Sequence, residues 1–101
     1  MATETETRKK PEVLGRVTHF FGHIGVASVR FNRNIRLGAY VRFLGPHTDF
    51  AEAITSMECE HRPITEAGRG QEVGVRVYDR VREGDLIIAA GKDDVSDSDG
   101  E

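Results

Sequence analysis

A small all-β domain, an antiparallel barrel of six or seven strands, is the fold class this sequence predicts, and three observations predict it. Between residues 12 and 90, Val, Ile, Phe and Tyr together number 22 against four Leu and no Lys, which favours strands over helices. Glycine recurs at turn-like intervals, at Gly15, Gly22, Gly25, Gly38, Gly45, Gly68, Gly70, Gly74 and Gly84. Apolar and polar residues alternate with period two, the pattern of strands buried on one face.

The first strand is expected from Val13 to Phe21, with Val13, Gly15, Val17, His19 and Phe21 on the core face and Arg16, Thr18 and Phe20 outward. The second is Val26 to Phe31, where Ala27, Val29 and Phe31 alternate with Ser28 and Arg30, and Asn32-Arg33-Asn34 is its turn. A third strand, Tyr40 to Leu44, is broken by Gly45-Pro46-His47-Thr48-Asp49, because proline lacks the donor that a central strand needs. Phe50 to Cys59 follows as one strand, in which Ile54 and Met57 both face the core only if a bulge shifts the register between them. Val73, Val75 and Val77 form the next inward row, and Leu86 to Ala90 the last strand.

A short regularity, apolar-x-x-Gly-x-x-apolar, runs Ile35 to Val41, Ala67 to Val73 and Val81 to Ile87. Each copy is expected to be a turn feeding a strand, with glycine supplying positive φ. A small antiparallel domain without helices protects its sheet edges best by closing on itself, hence the barrel.

The 101 residues divide into a polar segment 1–11, a body 12–90 and an acidic segment 91–101; the two end segments are too poor in apolar residues to fold alone and are expected to be disordered. The size excludes a two-domain enzyme. The net charge of −3 is uneven, because the body holds ten arginines against ten carboxylates and is neutral. Any affinity for nucleic acid must therefore come from local patches. No apolar run approaches the ~18 residues that span a bilayer, and one cysteine forms no internal disulfide framework, so a cytoplasmic setting is expected, with no membrane partner.

No phosphate-binding loop is present, and Gly68-Arg69-Gly70-Gln71-Glu72-Val73-Gly74 has neither the spacing nor the βαβ surroundings of a dinucleotide site, so it reads as a turn. Cys59 and His61 would share one side of a strand and could form a metal pair or an activated nucleophile. Two ligands do not make a zinc site, and a buried cysteine beside a surface histidine is the plainer reading. Glu58 and Glu60 likewise read as a solvated face. No catalytic residue, cofactor or metal ligand is assigned.

Several segments taken together resemble domain 2 of the translational GTPases, the elongation factor Tu class: Gly15-Arg16-Val17, Ile35 to Val41, Asp49-Phe50 to Ser56-Met57, Ala67 to Val75, and Val81-Arg82-Glu83-Gly84-Asp85. Thr18-His19-Phe20-Phe21, Ile24-Gly25-Val26-Ala27 and Glu60-His61 are similar to counterparts in small stand-alone translation elongation factor-like proteins. A similar barrel also occurs at the C-terminal end of some collagenase-like peptidase family proteins, associated with RNA hydroxylation. The resemblance implies a six- or seven-stranded domain 2-like barrel and a cytoplasmic role in protein biosynthesis. With the GTPase domain missing, no GTP chemistry is carried over.

The expected function is thus a non-catalytic module that binds transfer or ribosomal RNA or a ribonucleoprotein, with no DNA partner. Arg16, Phe20, Arg30 and Arg42 are its candidate RNA-binding residues, because arginine forks suit phosphates and exposed aromatics stack on unpaired bases. Tyr40 and Tyr78 are further stacking candidates. The alternative is a protein–protein adaptor that docks on a separately encoded enzyme, such as a collagenase-like peptidase family protein.

Overall fold

The computed structural model describes residues 12–91, and among these there is no helix. Ten strands follow in chain order: β1 (Val13–Phe21), β2 (Val26–Phe31), β3 (Ile35–Arg36), β4 (Tyr40–Gly45), β5 (Thr48–Ala53), β6 (Met57–Cys59), β7 (Arg62–Ile64), β8 (Glu66–Ala67), β9 (Glu72–Arg76) and β10 (Leu86–Ala89). Eight form one sheet in the order β5-β4-β10-β1-β2-β9-β6-β7, and β3 pairs with β8. The all-β class is as expected, and β1 and β2 have the expected bounds. The segments expected to be disordered, 1–11 and 92–101, lie outside the described residues.

The hydrogen-bonded sheet is not closed into a barrel. Its break lies where one strand was expected from Phe50 to Cys59. Ile54 exchanges backbone hydrogen bonds with Gly38 and Ala39, and the Ser56 carbonyl then accepts from the Arg76 amide. The chain thus leaves β4 and joins β9, where Met57 pairs with Val75. This change of partner, rather than a bulge within one ladder, lets both Ile54 and Met57 face the core, each 1 % exposed.

The three glycine turns form as the sequence predicts. Ala39 donates to the Arg36 carbonyl, Gln71 to Gly68 and Asp85 to Arg82, each closing a four-residue turn. The third residue is Gly38, Gly70 or Gly84, with φ of 95°, 80° and 91°, a conformation that disfavours a Cβ. A further turn reverses the chain between β6 and β7 through Glu60 and His61, at φ of 54° and 67°. Positive φ at both central residues is the geometry of a two-residue hairpin whose twist matches its strands.

The core packs Val17, Val29, Phe31, Phe43, Met57 and Ile87 between the curved faces of the sheet. Burying each such side chain contributes roughly 1.5–3 kcal/mol. β1 departs from simple alternation at two points. Leu14 and Gly15 are both buried beside a register shift against β10, and Thr18 is an extra residue between the pairs Val17–Val29 and His19–Ser28. The second bulge inverts the phase of everything after it. Phe20, expected outside, is half-buried against the core, whereas Phe21, expected inside, is 39 % exposed and lies with its ring 4.4 Å from that of His19.

Candidate functional site

On the outer face, cross-strand pairing sets Arg16 of β1 directly beside Arg30 of β2, and Arg30 directly beside Glu72 of β9. Arg30 donates to Glu72 Oε1 at 3.4 Å. The other oxygen, Oε2, accepts from the hydroxyls of Thr18 at 2.5 Å and Ser28 at 2.9 Å. These hydroxyl bonds, with the Arg30 contact, hold the Glu72 carboxyl below the usual carboxylate range. Arg16 makes only a long contact, 3.4 Å, to the Gly84 carbonyl, and no carboxylate pairs with it among the described residues.

Arg16 and Arg30 line an open groove of about 480 Å³ whose walls include Val13, Thr18 and Arg69. Arg69 stands on the turn after β8, and that turn is pinned from three sides. The Gly68 amide donates to Gln71 Oε1 at 2.7 Å, the Gly70 amide to the Phe31 carbonyl at 2.8 Å, and the Arg69 amide to Asn34 Oδ1 at 3.3 Å. Three arginines and one already committed carboxylate give this surface a local positive excess that the neutral body does not reveal.

Of the four candidate residues, Arg16 and Arg30 come together, and Arg42 and Phe20 stand apart from them. Arg42 on β4 grips Asp49 in a two-pronged ion pair, Nε to Oδ1 at 2.7 Å and Nη2 to Oδ2 at 3.0 Å. That pairing holds the Asp49 carboxyl below its ordinary range. Phe20 borders a different hollow, with Gly22, Gly25, Tyr78 and Arg80. Sequence reasoning missed Arg69, because it treated that segment only as a turn, and Glu72, whose role depends on strand pairing.

Cys59 and His61 do not share a strand side, because the chain reverses at Glu60-His61. Cys59 is half-buried, its Sγ accepting from Gln71 Nε2 at 3.3 Å. Among the described residues no group of three or more His, Cys, Asp or Glu could hold a metal ion.

A second feature was not foreseen. Glu52 on β5 is 5 % exposed, and its Oε1 accepts from the Tyr78 amide at 3.1 Å. Burial pushes its pKa up to about 7, against the Tyr78 hydrogen bond, which lowers it. Tyr78 itself is 64 % exposed, its hydroxyl donating to the Ala51 carbonyl and its ring 5.0 Å from Phe50. Beside it lies the β1–β2 tip, tied by the Val77 amide to the Gly25 carbonyl at 2.9 Å and carrying Phe21 and Ile24, the latter 54 % exposed.

No protein-family model matches the chain. A curated relative, the uncharacterized protease MJ0090 of Methanocaldococcus jannaschii, is 31 % identical over 75 residues, which is 73 % of this chain. The matched residues amount to only 18 % of that protein, so the chain spans less than a fifth of its relative. Among solved structures, two crystal structures of the C-terminal domain of a protein assigned to the U32 peptidases of Geobacillus thermoleovorans share the fold. One superposes with a TM-score of 0.73 at 24 % identity over 76 % of this chain and 98 % of that domain, the other with 0.71 at 24 % over 75 % and 89 %.

These matches overturn the resemblance to translation factors, and the expectation of a role in protein biosynthesis falls with it. The reason is physical. The segments that carried the resemblance are largely the three glycine turns and the strands they feed, and those residues answer to turn geometry. Unrelated small β domains meet the same geometric demand with the same residues. No helix among the described residues is long and apolar enough to cross a membrane.

Proposed function

We propose that this chain is a non-catalytic accessory domain that docks, as a separate chain, on the catalytic body of a U32-type peptidase. The observation that carries the reading is the match itself: nearly three quarters of this chain corresponds to 18 % of a much longer protease. The fold agrees, since it overlays almost the whole of a domain that stands at the C-terminal end of such a protein. The remaining four fifths of the relative would contain the surface on which this domain sits.

The β1–β2 tip and the segment after β9 supply the docking face. Ile24 and Tyr78 expose apolar surface at this end of the domain, where Phe20, Tyr78, Asp79 and Arg80 border a hollow of about 420 Å³. Exposed aromatic and branched side chains rimmed by charges are the composition of a protein interface.

Affinity purification of the tagged chain from its own cells, with nuclease added, tests this. A U32-type peptidase should be recovered in stoichiometric amount, and Ile24→Asp together with Tyr78→Asp should abolish the recovery. Its absence from the purified complex would refute the reading.

A further inference from the structure

We propose that Arg16, Arg30 and Arg69 form a phosphate-binding site that grips the backbone of a single RNA strand, independently of the docking face. Like charges directly opposite on neighbouring strands are unfavourable, and β1 and β2 place Arg16 and Arg30 in that relation. Glu72 relieves only one of them. Its Oε2 accepts from two hydroxyls and its Oε1 from Arg30, and it makes no ion pair with Arg16 among the described residues. A third arginine then enters the same groove on a turn fixed by three hydrogen bonds. Three guanidinium groups gathered in this way favour an anion between them.

The chemistry narrows the anion. Guanidinium forks donate in pairs to tetrahedral phosphate oxygens. The groove is open rather than enclosed, and Val13 and Thr18 line it beside the arginines. A strand can run through such a channel and present successive phosphates, whereas a free small anion would find little to enclose it. Glu72 sets the strength of the site. Held ionised by Thr18 and Ser28, it competes with the incoming phosphate for Arg30.

Fluorescence anisotropy of a labelled twelve-nucleotide single-stranded RNA, titrated with the full chain over a series of salt concentrations, tests the site. Three phosphate contacts predict a log–log salt slope of about −2, and Arg69→Ala should reduce it by about 0.7. Arg16→Glu and Arg69→Glu should each weaken binding by at least about tenfold, and Glu72→Gln should tighten it by a few-fold. Arg80→Glu, the same charge change far from the groove, should leave affinity unchanged. Arg69 is exposed on its turn, so its variants keep the fold even if Arg30 variants do not.

Absence of binding by the natural chain would overturn the proposal, as would equal losses from Arg80→Glu and Arg69→Glu, which would mark a general charge effect. Inorganic phosphate that displaced the strand at micromolar concentration would also overturn it, in favour of a free-phosphate site. Loss of docking on a peptidase would leave these readouts untouched, so the two proposals fail separately.

Discussion

Glu52 Oε1 accepts a hydrogen bond from the Tyr78 amide at 3.1 Å, yet no cation is paired with this carboxyl among the described residues. The bond ties the middle of β5 to the segment that follows β9, directly beneath the exposed Tyr78 ring.

Stability should therefore depend on pH in an unusual direction. Burial raises the folded-state pKa of Glu52 from 4.5 to about 7, so the folded chain keeps a proton that the unfolded chain releases. Stability contributed at low pH is lost as pH rises through this window, by up to roughly 3 kcal/mol, with no further loss above it. Urea unfolding of the natural chain at intervals from pH 5 to 8 should show the decline, and Glu52→Gln should flatten it. An equal decline in the variant would assign the effect elsewhere.

Gly45 and Asp85 are packed too closely for any other residue at position 45. A Cβ there would overlap Asp85 Oδ1, while Oδ2 is held by the Arg82 amide at 2.8 Å. Gly45→Ala should cost about 3 kcal/mol, lowering the melting temperature by about 10 °C or more. In an Asp85→Ala background the same substitution should cost much less, and a double-mutant cycle by thermal unfolding measures that coupling.

Thr48 is 5 % exposed, and its hydroxyl has no hydrogen-bond partner among the described residues. A buried hydroxyl without a partner is a cost that an apolar group of similar shape removes. Thr48→Val should stabilise the domain by about 1 kcal/mol in denaturant unfolding, and a loss of stability would show that the hydroxyl is satisfied.

Much of the fold could be read from the sequence, and the failures have identifiable causes. Val26 to Phe31 alternates cleanly, so β2 was placed with its true bounds. The strands β3 and β8 are two residues each and β7 is three, too short to show any period, and Pro63 further disguises β7, which is tolerable only because β7 is an edge. The exchange of Phe20 and Phe21 follows from one extra residue, Thr18, which pairing reveals and alternation cannot. The groove was half legible. Arg16 and Arg30 were recognisable as outward arginines, but their adjacency, the intervention of Glu72 and the arrival of Arg69 from about 40 residues away depend on tertiary pairing.

The docking face should be separable from the core. Ile24 and Tyr78 are 54 % and 64 % exposed, so Ile24→Asp and Tyr78→Asp remove little buried area and should leave folding stability within about 1 kcal/mol of the natural chain. Thermal unfolding checks this, and a collapse of stability in the Ile24 variant would show that the tip serves the fold.

The most direct test is reconstitution. A U32-type peptidase from the organism that encodes this chain, with its own C-terminal domain removed where it has one, should be titrated with the purified chain and followed by sedimentation velocity. A one-to-one complex that the Ile24→Asp, Tyr78→Asp double variant fails to form is the predicted result. Two species that sediment independently at micromolar concentration would contradict the account.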